Sequence, residues 1–278
     1  MAARLLHELR LLAVAIQFLT RWPVRLPASA TVTWDERWLT DCVRHFPAVG
    51  ALLGAAVGLV LWVALLLWPP TIAAVLAVAL GTWWTGAFHE DGLADTFDAL
   101  GGSTSRERAL EIMKDSRIGS YGGMALVLVT GGRMAALAAV VAVPQVSLVQ
   151  ALVIAVTACA WTHALARWVS VAVMAGLPYA GDEDHAKAKP LARGVPHRQA
   201  VVAGLWLLPL LFTIMATVTG GIAILAATLL AASLVALGMR RWLRRRLGGY
   251  TGDTLGAAEQ LAEAVILLTW VAVMGVLR

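Results

Sequence analysis

The chain has 278 residues, 60% of them hydrophobic and only 14% charged, with a mean hydropathy of +0.77. Soluble domains carry roughly 45–50% apolar and about 25% charged residues, so a water-soluble globule is excluded and a bilayer is the expected surrounding. The net charge of +5 is no nucleic-acid signal, because no basic run is interleaved with aromatics and Tyr and Phe number only three and five.

The first predicted element is an amphipathic helix. Arg4, His7, Arg10, Gln17 and Arg21 fall on one stripe, and Leu, Ala, Val and Phe fill the rest, which predicts a helix lying on the membrane surface. No small-residue cleavage pattern follows Leu11–Leu19, so a secretion signal is not expected. A transmembrane helix needs roughly 20 apolar residues. Phe46–Trp68, Thr71–Phe88, Gly122–Val143, Val146–Ala175, Gln199–Thr219, Gly221–Met239 and Ala257–Leu277 qualify, which predicts about seven spans. Pro69-Pro70 and Gly220-Gly221 punctuate the apolar runs. With no repeat and no low-complexity linker, residues 1–278 read as a single all-α membrane domain. Cys42 and Cys159 lie at different expected depths and lack ligand spacing, so both read as free thiols.

Charge then fixes the expected orientation. Every Lys and Arg except Arg133, Arg167 and Arg278 lies in the N-terminal segment, His89–Tyr121, Gly176–Arg198 or Arg240–Gly256. Seven spans put those segments on one side, and the positive-inside rule makes that side the cytoplasm. Within the third segment Gly181-Asp182-Glu183-Asp184 reads as a polar turn.

The acidic residues are few and clustered. Asp91, Asp95 and Asp98 follow the second span with the spacing i, i+4, i+7, which puts them on one helical face. Unpaired carboxylates there repel unless a cation sits against them, and hard oxygen ligands suit Mg²⁺ or Mn²⁺ with substrate phosphates completing the shell. The ordinary alternative is a solvated acidic face. Arg106, Arg108, Lys114 and Arg117 follow, with Asp115 and Ser116 among them. Cations after a metal-binding face are the equipment for a diphosphate, although Arg106 and Arg108 read equally well as helix salt-bridge partners.

A third cluster is the glycine-rich stretch Gly248–Gly256, read as a loop with exposed backbone N–H groups around Thr251, Gly252 and Asp253. It opens into the seventh span, whose N-terminus attracts anions. Glu259 and Glu263 lie inside that span and are functional candidates for that reason. Arg167 lies near enough to the cytoplasmic end of the fourth span to reach a phosphate. Arg133 reads as a structural partner for the acidic clusters.

These residues resemble a known signature. Phe88-His89-Glu90-Asp91-Gly92-Leu93-Ala94-Asp95-Thr96-Phe97-Asp98, followed by Leu110-Glu111-Ile112-Met113-Lys114-Asp115-Ser116-Arg117-Ile118-Gly119, is similar to the central motifs of the cobalamin synthase (adenosylcobinamide-GDP ribazoletransferase) family. Phe18–Val24, Phe46–Gly50, Leu177–Ala180 and Thr251–Ala257 resemble further family stretches. The resemblance implies a Mg²⁺-dependent transferase that joins α-ribazole, or its 5′-phosphate, to adenosylcobinamide-GDP and releases GMP, a late step of cobalamin synthesis. It implies Asp91, Asp95 and Asp98 as metal ligands, and His89 or Glu90 as the base. Lys114, Asp115 and Arg117 join them in the catalytic set. Arg106, Arg108, Ser116, Arg167, Thr251, Gly252, Asp253, Glu259 and Glu263 become substrate contacts. The expected surroundings are a bacterial inner membrane, with the site facing the cytoplasm. Expected partners are the two substrates and the lipid bilayer, with a second copy of the chain or other late-pathway enzymes as associates, and no nucleic acid.

Two rival readings compete. A CDP-alcohol type phosphotransferase shares the acidic motif, but it wants Arg where Asp95 follows Ala94. A transporter lined by Arg133, His163 and Arg167 wants paired broken helices in two repeats, and the sequence shows none.

Overall fold

The computed structural model describes residues 2–25, 35–102, 105–142, 147–181 and 194–276. The expected turn at Asp182–Asp184 and the basic residues Lys187, Lys189 and Arg193 lie outside the described residues, as do the expected span ends Val143, Val146 and Leu277.

Helix α1 (Ala2–Leu19) precedes α2 (Arg37–Asp41), which runs through a 3-10 turn, Cys42–His45, into α3 (Phe46–Leu65). Helices α4 (Pro70–Thr85), α5 (Phe88–Gly101), α6 (Arg106–Ile112), α7 (Ser120–Val141) and α8 (Leu148–Gly176) follow. Then come α9 (His197–Leu205), α10 (Leu208–Thr217), α11 (Gly221–Arg246) and α12 (Gly252–Val276). Among the described residues, six stretches are long and apolar enough to cross a membrane: Arg37–Leu65, Ser120–Val141, Leu148–Gly176, His197–Thr217, Gly221–Arg246 and Gly252–Val276. A seventh is counted if α4 and α5, bent by 89°, form one broken span. The protein is a multi-pass, all-α membrane protein.

Several boundaries differ from the sequence expectation, each for a physical reason. The second span stops at Thr85, because Gly86 adopts φ +71° and Ala87 φ +58°, and two successive left-handed residues turn the chain. At 16 residues α4 is about 24 Å long, short of a hydrocarbon core of roughly 30 Å. The fifth span divides near Pro209, which has no N–H to continue the ladder. The sixth runs on to Arg246, since Arg is a good helix former. The glycine-rich loop is shorter than expected, because α12 starts at Gly252. Helix α1 ends at Leu19, so Arg21 lies beyond it, and Arg10 is buried with Leu11, Val14 and Leu19 instead of facing outward.

The tightest seam is α3 against α8. Gly50, Gly54 and Gly58 repeat at every fourth residue, and a Cβ at any of them would overlap the α8 backbone near His163, Cys159 or Ala155. Small residues at this spacing let two membrane helices approach closely enough for dispersion to hold them. Cys42 and Cys159 are buried free thiols.

At one end of the bundle the loops close on one another. Tyr179 and Tyr250 form a parallel bridge, with Ala180 N donating to Tyr250 O at 2.8 Å and Tyr250 N to Pro178 O at 2.9 Å. Burial, with Tyr179 beside it, pushes the Tyr250 phenol up to about 12. Arg106 ties this bridge to its own helix by donating to Leu247 O at 2.8 Å and Ala180 O at 2.9 Å. Arg246 donates to Leu100 O and Gly102 O at the end of α5. Segments from three of the charged stretches expected on one side therefore meet.

Candidate active site

The acidic motif forms helix α5, and its residues divide between two faces. Asp91 is exposed, Asp95 and Asp98 are half-buried, and His89 and Glu90 are buried. The burial follows from α12: a Cβ at Gly92 would lie 2.6 Å from Asp253 O, and one at Gly256 would lie 3.1 Å from His89 O. Glycine at both contacts lets the first turn of α12 abut α5. Thr251 and Thr254 cap that turn reciprocally, the Thr251 N–H donating to Thr254 Oγ1 at 2.9 Å and the Thr254 N–H to Thr251 Oγ1 at 3.3 Å.

The three aspartates do not close into one cage. Asp98 accepts the Gly119 N–H on Oδ2 at 2.7 Å and the Gly122 N–H on Oδ1 at 2.8 Å, which caps the start of α7. Glycine is required at both positions, since a Cβ on either would strike the carboxylate. A metal reading that used all three must accommodate this second duty of Asp98. Asp91 lines an open cleft of about 500 Å³ together with Phe18, Thr20, Arg21, Thr85, Gly86, Ala87 and Phe88. Mg²⁺ is commonly held by one or two carboxylates plus phosphates and water, so an exposed Asp91 with Asp95 one turn along suits it better than a complete protein cage.

His89 and Glu90, expected to supply a base, face away from this cleft into the bundle. Glu90 Oε1 accepts from Thr82 Oγ1 at 2.9 Å, from Gln260 Nε2 at 3.3 Å and from Arg133 Nη1 at 3.4 Å. His89 Nδ1 lies 4.0 Å from Glu259. Arg133 makes the acidic pairings the sequence suggested, meeting Glu263 as well as Glu90. Arg167, Glu259 and Glu263, expected at substrate, are instead side by side in the interior. Arg167 Nη1 lies 2.7 Å from Glu259 and 3.1 Å from Glu263, and His163 Nδ1 lies 2.5 Å from Glu263. The low dielectric explains the arrangement: a charge in the bundle is stable only beside its counter-charge. His163, Glu259 and Glu263 also put one ligand atom each within 4.8 Å of one another, a grouping the sequence reading did not anticipate. Two guanidiniums already neutralise those carboxylates.

The cationic segment is exposed. Ser105 caps α6 by accepting the Arg108 N–H, and Arg108 pairs with Glu111 at 2.8 Å, the ordinary helix pairing. Helix α6 ends at Ile112, so Lys114 and Arg117 occupy a turn and not a helical face. Arg117 forks onto Asp115, with Nε–Oδ1 at 2.9 Å and Nη2–Oδ2 at 2.5 Å. Those hydrogen bonds hold the Asp115 carboxyl down at about 2 and raise the Arg117 guanidinium. The turn carrying Lys114, Asp115, Ser116 and Arg117 leads to Gly119 on Asp98, about 10 Å along α5 from Asp91.

Sequence reasoning did not single out Arg21, which lines the cleft with Asp91. Its signal was present in the stretch Phe18–Val24, but the stripe on the first helix absorbed it.

Comparison with known proteins completes the picture. Residues 11–271 match the family described as cobalamin-5-phosphate synthase. The chain is 46% identical to an adenosylcobinamide-GDP ribazoletransferase of Leptothrix cholodnii, over 97% of this chain and 98% of that one. It is 39% identical to the protein of the same name from Vibrio cholerae, over 96% and 95% of the two chains. The match to the one from Albidiferax ferrireducens is 39% over 92% and 95%. No solved structure matches the chain.

Proposed function

The chain belongs to the cobalamin-5-phosphate synthase family, and on that premise we propose that it joins α-ribazole or its 5′-phosphate to adenosylcobinamide-GDP, giving the cobalamin or its phosphate and GMP. The observation that carries this reading to particular residues is the exposed Asp91 on a cleft large enough for a nucleotide. The ribazole 3′-oxygen forms a bond to the cobinamide-linked phosphorus. The bond from that phosphorus to the guanylyl oxygen breaks, GMP leaves with the electron pair, and the hydroxyl proton passes to water at the cleft. Such transfers are catalysed mostly by positioning and by charge placed on the phosphoryl oxygens.

Asp91, with Asp95, would hold Mg²⁺, which supplies positive charge to the diphosphate when bound. Lys114 and Arg117 stand on the exposed turn between α6 and α7, which Asp98 of the same helix holds at Gly119, and receive the leaving nucleotide's phosphate. Asp115 occupies the Arg117 fork until the donor's phosphate displaces it. Arg106 and Arg246 act one step back, fixing the loops around the site. The site opens to the cytoplasm of a bacterial inner membrane, because the positively charged segments share that side.

The test is GMP release by purified protein in detergent. It is expected only with both substrates and a divalent ion present, and EDTA is expected to stop it. Release of CMP from a CDP-alcohol, or solute flux into sealed proteoliposomes without nucleotide release, overturns the reading.

A further inference from the structure

The cleft carries a second charged residue that the reading above leaves unused. Arg21 lines it as well, in the segment that follows α1. Its backbone is anchored, with the Arg21 N–H donating to Trp84 O at 2.7 Å. Thr20 Oγ1 donates to Ile16 O at 2.8 Å and accepts the Trp22 N–H at 3.2 Å, so the residues on both sides are held as well.

The guanidinium rests on the α4–α5 corner. A Cβ at Gly86 would come within 2.9 Å of Arg21 Cζ, so the absence of a side chain there is what admits the arginine. The corner is strained at the next residue, because Ala87 holds a left-handed φ of 58° with a Cβ in place. Backbone strain of this kind persists where the surrounding structure requires a particular geometry, and it concentrates at ligand sites.

Arg21 is exposed and, among the described residues, forms no ion pair. Asp91, on the same cleft, does not pair with it either. Opposite charges that share a cleft and stay apart leave room for a ligand with complementary groups at its two ends. Aromatic rings line the same cleft: Phe18 and Phe88 meet edge to face at 5.9 Å, and Phe18 stacks on Phe46 at 5.7 Å. A volume of about 500 Å³ lies within the usual range for small-molecule sites of roughly 300–1,000 Å³. That is room enough for a nucleotide.

We propose that this cleft is the acceptor site and that Arg21 is the specificity residue that reads a 5′-phosphate on the acceptor nucleoside. The proposal rests on the transferase reading above. A nucleoside 5′-phosphate has its phosphate at one end of the ribose and its 3′-hydroxyl at the other. With the phosphate on Arg21, the hydroxyl points along the cleft toward Asp91, where the transfer takes place. The flat apolar base then lies against Phe18 and Phe88. Arginine suits the role because its fork matches two phosphate oxygens and keeps its charge at any working pH.

The experiment compares α-ribazole 5′-phosphate with α-ribazole as acceptor, measuring GMP release by the unchanged protein and by Arg21→Gln. The ratio of kcat/KM for the two acceptors is expected to fall at least tenfold in the variant, mostly through KM for the phosphate. The value of kcat/KM for α-ribazole falls less than threefold, and KM for the donor stays near its original value. Arg21→Lys keeps a point charge without the fork, and its ratio is expected between the other two. It also covers the case in which the glutamine variant does not fold. An unchanged ratio in a folded variant, or an equal loss with both acceptors, overturns the proposal and returns Arg21 to the donor or to the scaffold. If the unchanged protein releases no GMP with either acceptor, the transferase reading fails instead.

Discussion

Two regions of this protein carry charge in opposite ways. In the bundle interior, Glu90, Glu259 and Glu263 face Arg133 and Arg167, with His163 against Glu263 and His89 nearby, and these groups are nearly closed to solvent. They join α5, α7, α8 and α12 to one another. At the α4–α5 corner, Arg21 and Asp91 share an open cleft and are exposed. The interior charges are consumed in holding helices, because an uncompensated charge among apolar helices costs several kcal/mol. The corner charges stay open to water on the cleft. An ionisable residue inside a span is therefore not automatically a substrate contact. Glu259 and Glu263 tie α12 to Arg167 of α8 and Arg133 of α7.

The comparison is broken most directly from the interior. Glu263→Leu removes an ion-pair partner from Arg133, leaving it Glu90 and Gln260, and takes a partner from both His163 and Arg167. Removing one member of a buried ionic group costs about 3–5 kcal/mol. The expected outcome is a large drop in thermal stability in detergent, or loss of folded protein on expression. A variant that melts like the parent would show that the interior charges do not hold the bundle.

A substitution at the corner should do the reverse. Asp91→Asn keeps shape and removes a hard anionic ligand from an exposed position. GMP release is expected to fall about a hundred- to a thousandfold, with melting unchanged when no divalent ion is present. Near-normal turnover at low Mg²⁺ would remove Asp91 from the metal site.

How far the sequence anticipated this division follows from what each feature depends on. Apolar runs report burial in lipid directly, so the long helices were legible, as was the meeting of charged loops at one end. The α4–α5 corner was not, because its second left-handed residue is Ala87, a residue type that gives no such signal. The pairing of Arg167 with Glu259 joins residues far apart in the chain, and no local spacing encodes it. Asp98 was legible as part of an acidic face, whereas its hold on Gly119 and Gly122 depends on where α7 starts. Arg21 was legible in the stretch Phe18–Val24, but its place on a helical stripe hid its separation from α1, which ends at Leu19.

The smallest effect is expected at Asp115, and its sign is informative. The Arg117 hydrogen bonds hold the Asp115 carboxyl at about 2, below its ordinary 3.8, so any stability it contributes is present above about pH 4 and lost only as pH falls through about 2. The pair is exposed at the surface, where ion pairs contribute little, so Asp115→Asn should leave melting unchanged across roughly pH 5–9. Activity should respond differently if Arg117 receives the leaving phosphate. Asp115 then competes with the donor's phosphates for the same fork, and neutralising it frees the guanidinium. KM for the donor is expected to fall about twofold, with kcat within about threefold of the parent, small changes that fit the weak coupling of exposed charges. Steady-state kinetics with varied donor at saturating acceptor measures both. A hundredfold loss of kcat would instead put Asp115 at the reacting atoms and make Arg117 its support.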